Sequence, residues 1–444
     1  MPIAVKLKHF GQKIVDASSR RQFLRNVAVV LTGAALAQVI VVASSPIISR
    51  LFSPAAFGVL GMFTALLGLI GPVATLTYSA AIVLPKEQKE SAAVVWLCLL
   101  ISSAMAVASL LIVSLYDAYF DVEWLRPVRS LLYLVPVVVL FEGLYQVGQQ
   151  WMIRDRRYRQ TAQLSIIQVL ISTAAKIGAG LAFPSSFSLV LVSMLAVPFN
   201  GALCWLALNL DRARGWWPPA TQVTAVRSAA NHYRDFPIFR APQSLVYATS
   251  QSLPVLILAS LFGPAVAGFF TLTNSVLAAP TQLLTKAIND VFFMRLVDAS
   301  HNGERTRTLI LKAAGALSAV SIVPVGILML AGPSIFSTVF GERWSEAGEY
   351  SRWLSLLSFT TLILRSGLSA APVLKAQGAY LFFEVSSTLL KSAAISIHLF
   401  GGFSPILSIA LYATTGSTVN VLFFWYLLIK SKKFDDRNAA AART

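Results

Sequence analysis

The clearest structural pattern in the sequence lies at Arg50–Pro85, RLFSPAAFGVLGMFTALLGLIGPVATLTYSAAIVLP. A tight apolar turn at residues 51–58, LFSPAAFG, joins two long apolar runs into a hairpin. A similar turn stands about 210 residues later, at 260–268, SLFGPAVAG, with Pro280 where the first hairpin has Pro72. A repeat at this spacing in a chain of 444 residues predicts two halves built alike.

The composition is that of a membrane protein. Apolar residues make up 56% of the chain and charged residues 12%, against roughly 25% charged in a soluble domain, and the mean hydropathy is +0.69. A net charge of +17 would suggest nucleic-acid binding in a soluble protein. Here the basic residues stand in short segments between apolar runs, so we expect no nucleic-acid partner. Cys98 and Cys204 lie within such runs and form no disulfide pattern or metal-ligand spacing.

Twelve apolar runs are each long enough to cross a bilayer, which takes about 20 helical residues. They cover residues 26–49, 57–84, 92–116, 130–150, 163–183, 187–210, 238–262, 266–294, 308–331, 350–374, 379–400 and 404–429. The sequence therefore predicts an all-α polytopic membrane protein with twelve transmembrane helices in two pseudo-symmetric six-helix lobes. Because both lobes start on the same side, we expect an axis along the membrane normal to relate them.

The basic residues predict the orientation. With the N-terminus inside, 27 Lys and Arg residues fall in inner segments and 5 in outer loops, which makes both termini cytoplasmic. The predicted organisation is an amphipathic segment 1–25, an N-lobe 26–210, a linker 211–237, a C-lobe 238–429 and a tail 430–444. A disordered basic tail is the alternative for residues 1–25. Five tryptophans near predicted helix ends are expected to be interfacial anchors: Trp124, Trp151, Trp216, Trp217 and Trp344.

Seven ionisable side chains fall inside predicted spans, where each costs from about 2.5 kcal/mol upward. They are Glu142, Lys176, Lys286, Asp290, Arg365, Glu384 and Lys391. Lys286 and Asp290 are four residues apart and are expected to pair near the inner end of helix 8. Glu142 has no local partner in the sequence, which leaves a titrating group or a pair with Arg365 as alternatives.

Helices 5 and 11 share a short pattern at corresponding places in the two halves. Residues 172–176 read STAAK and residues 387–391 read STLLK, so both lysines fall near the middle of the membrane. This symmetry predicts one shared cationic cavity, and Glu384, Lys391 and His398 at spacings of seven are expected to line it. The alternative is that Glu384 and Lys391 pair with other helices. A cationic cavity suits an anionic substrate such as a phosphate or diphosphate group.

Residues 45–87 carry a resemblance to a known family. The Pro-x-x-x-Gly turn, Tyr78 and the ending 81–85, AIVLP, resemble the first hairpin of Wzx-type polysaccharide flippases of the multidrug/oligosaccharidyl-lipid/polysaccharide (MOP) exporter superfamily. The resemblance implies a MOP/MATE-like fold of two lobes that work by alternating access. It also implies that undecaprenyl-diphosphate-linked oligosaccharide crosses the bacterial inner membrane for O-antigen, capsule or exopolysaccharide synthesis. The expected partners are this substrate and membrane lipid, with the polymerase machinery as a further one, and the protein is expected to be a monomer.

Charge and symmetry suggest roles within this family. Lys176, Lys391 and Arg365 are expected to contact the diphosphate or acidic sugars. No cofactor is expected, and proton or sodium coupling through Glu142, Glu384 or Asp290 is an open alternative.

Three other functions compete with the flippase. A multidrug antiporter of the same fold would want an acidic residue in helix 1, and residues 26–49 contain none. A peptidoglycan-precursor flippase would more often have fourteen spans. A membrane glycosyl polymerase or ligase would want larger outer loops than 117–129 and 332–349, and the chain carries none of the usual catalytic motifs, so no enzyme is expected.

Overall fold

The computed structural model describes residues 32–209, 223–287, 292–301 and 304–441. The predicted segment 1–25 and Asp290 lie outside these residues, as do the side chain of Lys286 and residues 211–222 of the predicted linker. The lobe boundaries stay predictions.

Long helices account for all twelve predicted runs within the described residues. They are α1 Thr32–Leu51, α2 Pro54–Ile70, α3 Gln88–Tyr119, α4 Val135–Arg154, α5 Tyr158–Ala182, α6 Ser186–Asn209, α7 Ala241–Phe262, α8 Pro264–Ala287, α9 Thr306–Phe340, α10 Ser345–Leu368, α11 Gln377–Ile395 and α12 Pro405–Ala441. Shorter helices cover Arg129–Leu132, Val223–His232, Phe293–His301 and His398–Gly401.

Eight helices of the described chain are long and apolar enough to cross a membrane, or nine if the bent pair Glu123–Leu132 and Val135–Arg154 is one span. Besides α4, which passes only together with Glu123–Leu132, the helices that fall short are α8, α10 and α11. The helices α8, α10 and α11 each carry polar side chains that line a pocket within the bundle. Their lower hydropathy therefore comes from a face that contacts this pocket and not from a position outside the bundle.

The two halves meet along α2 and α8, which pack against each other along much of their length. Within the first half α3 packs on α4 and α4 on α6, and within the second half α10 packs on both α9 and α12. We call the end of the bundle at which α1 finishes and α2 begins the upper end, and the opposite end the lower end.

The repeated Pro-x-x-x-Gly turns touch each other at the upper end. A Cβ atom on Gly58 would overlap the carbonyl oxygen of Pro264, and one on Gly268 would overlap that of Pro54. The contact is reciprocal, as expected for two equivalent segments facing each other across a pseudo-two-fold axis. Small residues of this kind let helix backbones approach closely within a membrane.

Trp344 fills the space beside this contact. Its side chain is fully buried. Its ring packs edge-on against Phe57 of α2 and Phe269 of α8, with ring centroids 5.0 Å and 5.8 Å away. Its indole N–H donates to the carbonyl oxygen of Ser49 at 2.9 Å. The prediction of an interfacial anchor is therefore wrong for Trp344. It is also wrong for Trp151, which is buried in the lower core of the first half.

Two arginines tie the α1–α2 turn to the α9–α10 turn. The Arg50 guanidinium donates to the carbonyl oxygens of Thr338 at 2.9 Å and Val339 at 3.3 Å, and Arg343 donates to the carbonyl oxygen of Arg50. The prediction of an outer loop over residues 332–349 is wrong, because α9 bends at Ala331 and continues to Phe340. Pro333 lies two residues after the bend, in the first turn of the second segment, where a missing N–H costs little.

The second predicted span, 57–84, is not one helix. α2 ends at Ile70, and 3₁₀ turns follow at Gly71–Val73 and Tyr78–Val83, with positive φ values of 46° at Leu76 and 58° at Thr77. Pro72 lacks the N–H that a continuous helix would need. Left-handed backbone at two non-glycine residues is strained, so surrounding contacts must hold this break in place.

The lower end carries a long-range helix cap. One carboxylate oxygen of Asp435 in α12 accepts from the Thr306 N–H at 3.0 Å and hydroxyl at 2.6 Å, and the other accepts from the Arg307 N–H at 3.1 Å. These bonds satisfy donors at the start of α9, where the helix dipole also favours a negative charge. Arg295 and Glu304 form an exposed pair nearby, and hydrogen bonds from Arg295 lower the pKa of Glu304.

We predict that Gly58→Ala destabilises the protein while Gly178→Ala does not. The added methyl group at residue 58 meets the Pro264 backbone, whereas a Cβ at residue 178 of α5 meets nothing within 4 Å. Overpacking costs about 1–3 kcal/mol, so the unfolding temperature of the first variant in detergent should fall by several degrees. Equal unfolding temperatures for the two variants would contradict the close approach of α2 and α8.

We predict that Asp435→Ala weakens the start of α9. Loss of a capping carboxylate costs about 0.5–2 kcal/mol, so the variant should unfold at lower temperature and expose residues near Thr306 to proteolysis sooner. The exposed neighbour Asp436, changed to Ala, is the matched control. If both variants behave like the wild type, the cap contributes nothing to stability.

Candidate substrate pathway

Three adjoining pockets run from the first half of the protein to the second. The N-pocket, about 450 Å³, lies among α2, α4, α5 and α6. The middle pocket, about 510 Å³, lies between the end of α2 and helices α7 and α11. The C-pocket, about 570 Å³, lies among α7, α8, α10, α11 and α12, with Ala34 and Gln38 of α1 at its edge. The middle pocket shares Gly68 with the N-pocket, and Tyr247, Gln251, Tyr380 and Glu384 with the C-pocket.

The N-pocket is mainly apolar and holds one acid and one base. Glu142 of α4 and Lys176 of α5 both line it, and no ion pair joins them among the described residues. Aliphatic side chains form most of the remaining wall: Leu60, Leu67, Ile70, Val138, Val139 and Val197. Ionisable side chains among membrane helices are costly and usually face a cavity, which makes both residues candidates for binding or coupling.

Glu142 has a local partner that sequence analysis overlooked. Its carboxylate accepts from Gln146 Nε2 at 3.0 Å, and the same amide group donates to the carbonyl oxygen of Gly71 at 3.1 Å. Thr75 Oγ1 lies 2.9 Å from Gln146 Oε1 and 3.1 Å from Ser79 Oγ. Gln146 thus connects the carboxylate directly to the break after α2.

Of the two alternatives for Glu142, the pair with Arg365 is not formed. Glu142 lines the N-pocket and Arg365 lines the C-pocket, so the structure places them in different halves. Lys176 and Lys391 are likewise separate: the first lines the N-pocket and the second the C-pocket, with the middle pocket between the two.

Lys391 is held by α12. Its stem passes over Gly416, where an added Cβ would lie 3.0 Å from Lys391 Cδ, and its ammonium lies 5.9 Å from the centre of the Tyr412 ring. Glu384 lies two turns earlier on α11 and lines the same pocket. His398 does not join them, because α11 ends at Ile395 and His398 begins a separate short helix with Nδ1 2.6 Å from the Phe403 carbonyl oxygen.

Arg365 of α10 is the most unusual charge in the C-pocket. Its Nε is buried and has no hydrogen-bond partner, and within the described part of the chain its guanidinium makes no ion pair. Arg365 therefore stands in the pocket wall as a charge without a counter-ion among the described residues.

Neutral polar side chains complete the C-pocket, and sequence analysis missed them because it searched for ionisable groups alone. They include Gln38, Gln251, Asn274, Gln282 and Asn420. An amide side chain in an apolar helix indicates a face that is turned away from lipid, because the amide needs hydrogen-bond partners there. Asn420 finds one in Thr361 Oγ1, 3.0 Å from its Nδ2.

Comparison with solved structures identifies the fold. The chain superposes on an inward-facing MATE-family multidrug resistance transporter of the MOP superfamily with a TM-score of 0.67, at 13% identity, over 92% of this chain and 99% of that one. A MOP superfamily transporter from Pyrococcus furiosus gives 0.58 at 11% identity, over 92% and 96%. The predicted fold class, two six-helix lobes of the MOP type, is confirmed.

Sequence comparisons identify the family. The chain is 22% identical over 407 residues to the lipopolysaccharide biosynthesis protein WzxC of Escherichia coli (strain K12), over 90% of this chain and 78% of that protein. The resemblance to Wzx-type transporters is thereby confirmed. The family model described as polysaccharide biosynthesis protein matches residues 47–349, more than half of the chain, and the protein belongs to this family of membrane transporters.

Proposed function

We propose that the protein carries undecaprenyl-diphosphate-linked oligosaccharide across the bacterial inner membrane by alternating access. The observation that carries this proposal is the row of three pockets that runs from the first half to the second, with the α2–α8 contact at the upper end. The sugars and diphosphate would pass through these pockets while the lipid tail stays in the bilayer. Similarity to a lipopolysaccharide biosynthesis protein supports this substrate class.

The orientation follows from the distribution of basic residues. The lower end holds most of the lysines and arginines and would face the cytoplasm, together with both termini. The upper end would face the periplasm, so the structure would represent the inward-facing state. We further propose that the protein works as a monomer and delivers its substrate to the polymerase machinery of O-antigen, capsule or exopolysaccharide synthesis.

The charged pocket residues have distinct proposed roles. Lys176, Lys391 and Arg365 would contact anionic groups of the substrate. Glu142 and Glu384 are candidates for proton or sodium coupling, and Asp290 is a third candidate that lies outside the described residues. Glu142 is the strongest of these, because Gln146 links it to the break that follows α2.

We predict that Lys176→Ala and Lys391→Ala each impair export. A hydrogen bond to a charged group is worth about 1.5–3 kcal/mol, so loss of either lysine should slow flipping roughly tenfold to a hundredfold. The measurement is surface polysaccharide in a strain that lacks its own flippase but makes this protein's glycan, with equal membrane abundance of each variant. Lys432→Ala, at an exposed residue of the lower end of α12, is the control. Full export by both pocket variants would contradict their roles.

We predict that Glu142→Gln uncouples flipping from the ion gradient. In proteoliposomes an imposed proton or sodium gradient should accelerate flipping by the wild type, and the variant should flip at the gradient-free rate because its amide cannot exchange a proton or balance a cation. Glu123→Gln, at an exposed position between α3 and α4, is the control. A variant that still responds to the gradient would remove Glu142 from the coupling mechanism.

A further inference from the structure

The C-pocket differs in chemistry from the N-pocket. Amide and hydroxyl side chains reach it from α1, α7, α8, α10 and α12, and two tyrosine rings, Tyr247 and Tyr380, line its boundary with the middle pocket. Sugars present hydroxyl groups that need hydrogen-bond partners and C–H faces that pack on aromatic rings. The mainly aliphatic N-pocket offers few such partners.

The pockets also differ in charge. The N-pocket is lined by one acid and one base, Glu142 and Lys176, whereas the C-pocket is lined by two bases, Arg365 and Lys391, and one acid, Glu384. The C-pocket therefore carries one excess positive charge. This excess matches a singly charged carboxylate better than a doubly charged diphosphate.

Arg365 supplies the matching donor. Arg365 lines the C-pocket, and its guanidinium makes no ion pair among the described residues. A guanidinium presents donors in a planar fork that fits a carboxylate through two parallel hydrogen bonds. Lys391, anchored over Gly416 and beside Tyr412, cannot offer this geometry and acts as a point charge.

We propose that the C-pocket is the glycan subsite and that it selects oligosaccharides bearing a carboxylate, such as a uronic acid residue, through Arg365. The proposal rests on the proposed flippase function and assigns one part of the pathway to one part of the substrate. A glycan without an acid would leave the guanidinium unpaired in the membrane, and this cost would set the specificity.

The test uses proteoliposomes and two matched substrates. Both are undecaprenyl-diphosphate trisaccharides, one with a glucuronate residue and the other with glucose at the same position. Flipping is measured as the fraction of glycan that a membrane-impermeant oxidant reaches over time. The proteins are the wild type, Arg365→Gln, Arg365→Lys and the exposed control Arg305→Gln.

We expect the wild type to flip the acidic substrate at least roughly tenfold faster than the neutral one, as for loss of one charge-assisted contact. Arg365→Gln should reduce flipping of the acidic substrate roughly tenfold or more and leave the neutral one nearly unchanged, which also shows that the variant is folded. Arg365→Lys should keep part of the preference, because it retains the charge but loses the fork.

Three results would overturn the inference, and they differ from each other. Equal loss of both substrates in Arg365→Gln would assign the residue to the diphosphate, which both share. A wild type that shows no preference would exclude a carboxylate subsite while leaving the flippase function intact. A wild type that flips neither substrate would contradict the proposed function itself.

Discussion

The structure depends on the close approach of two backbones at the upper end, where Gly58 of α2 faces Pro264 and Gly268 of α8 faces Pro54. The contact has no charge, and what holds it is van der Waals packing of small residues, reinforced by Trp344 and by hydrogen bonds from Arg50. Such a contact is stable while it is closed, yet parting it exposes no buried ion. A transporter that alternates between two states needs an interface of this kind.

The rest of the pathway is arranged below this contact. α2 continues down from it to the break at Gly71, where Gln146 bridges the freed carbonyl and the Glu142 carboxylate. On the other side, α8, α10 and α11 place their polar faces in the C-pocket. These three helices, α8, α10 and α11, are less hydrophobic than a single membrane span needs to be. Their polar faces line the C-pocket, and neighbouring helices shield these faces from lipid.

Much of the fold could be predicted from sequence, because an apolar run of about 20 residues has few alternatives to a membrane helix. Errors arose where distant residues decide local structure. The break after Ile70 depends on Gln146, 75 residues beyond the carbonyl that it satisfies. Trp344 looked like an anchor because its contacts, Phe57 and Ser49, come from the other half of the chain.

The site was predictable in a similar way. The energetic cost of a charge within the membrane was enough to identify the charged residues that the described structure places in pockets. It could not show which other residues they contact. A pair of Glu142 with Arg365 was one of two alternatives from the sequence, whereas the partner in the structure is a neutral amide one helical turn away. The amides of the C-pocket went unnoticed because their cost in a helix is lower than that of a charge.

Alternating access requires the upper contact to open as the glycan crosses, and this opening can be followed directly. Its most direct measurement is the distance between spin labels on cysteines introduced at Tyr119 of α3 and Glu342 before α10, both exposed at the upper end. In proteoliposomes without substrate, a single short distance is predicted, and addition of lipid-linked oligosaccharide should create a second, longer population. A distribution that stays unchanged while flipping proceeds would contradict the account.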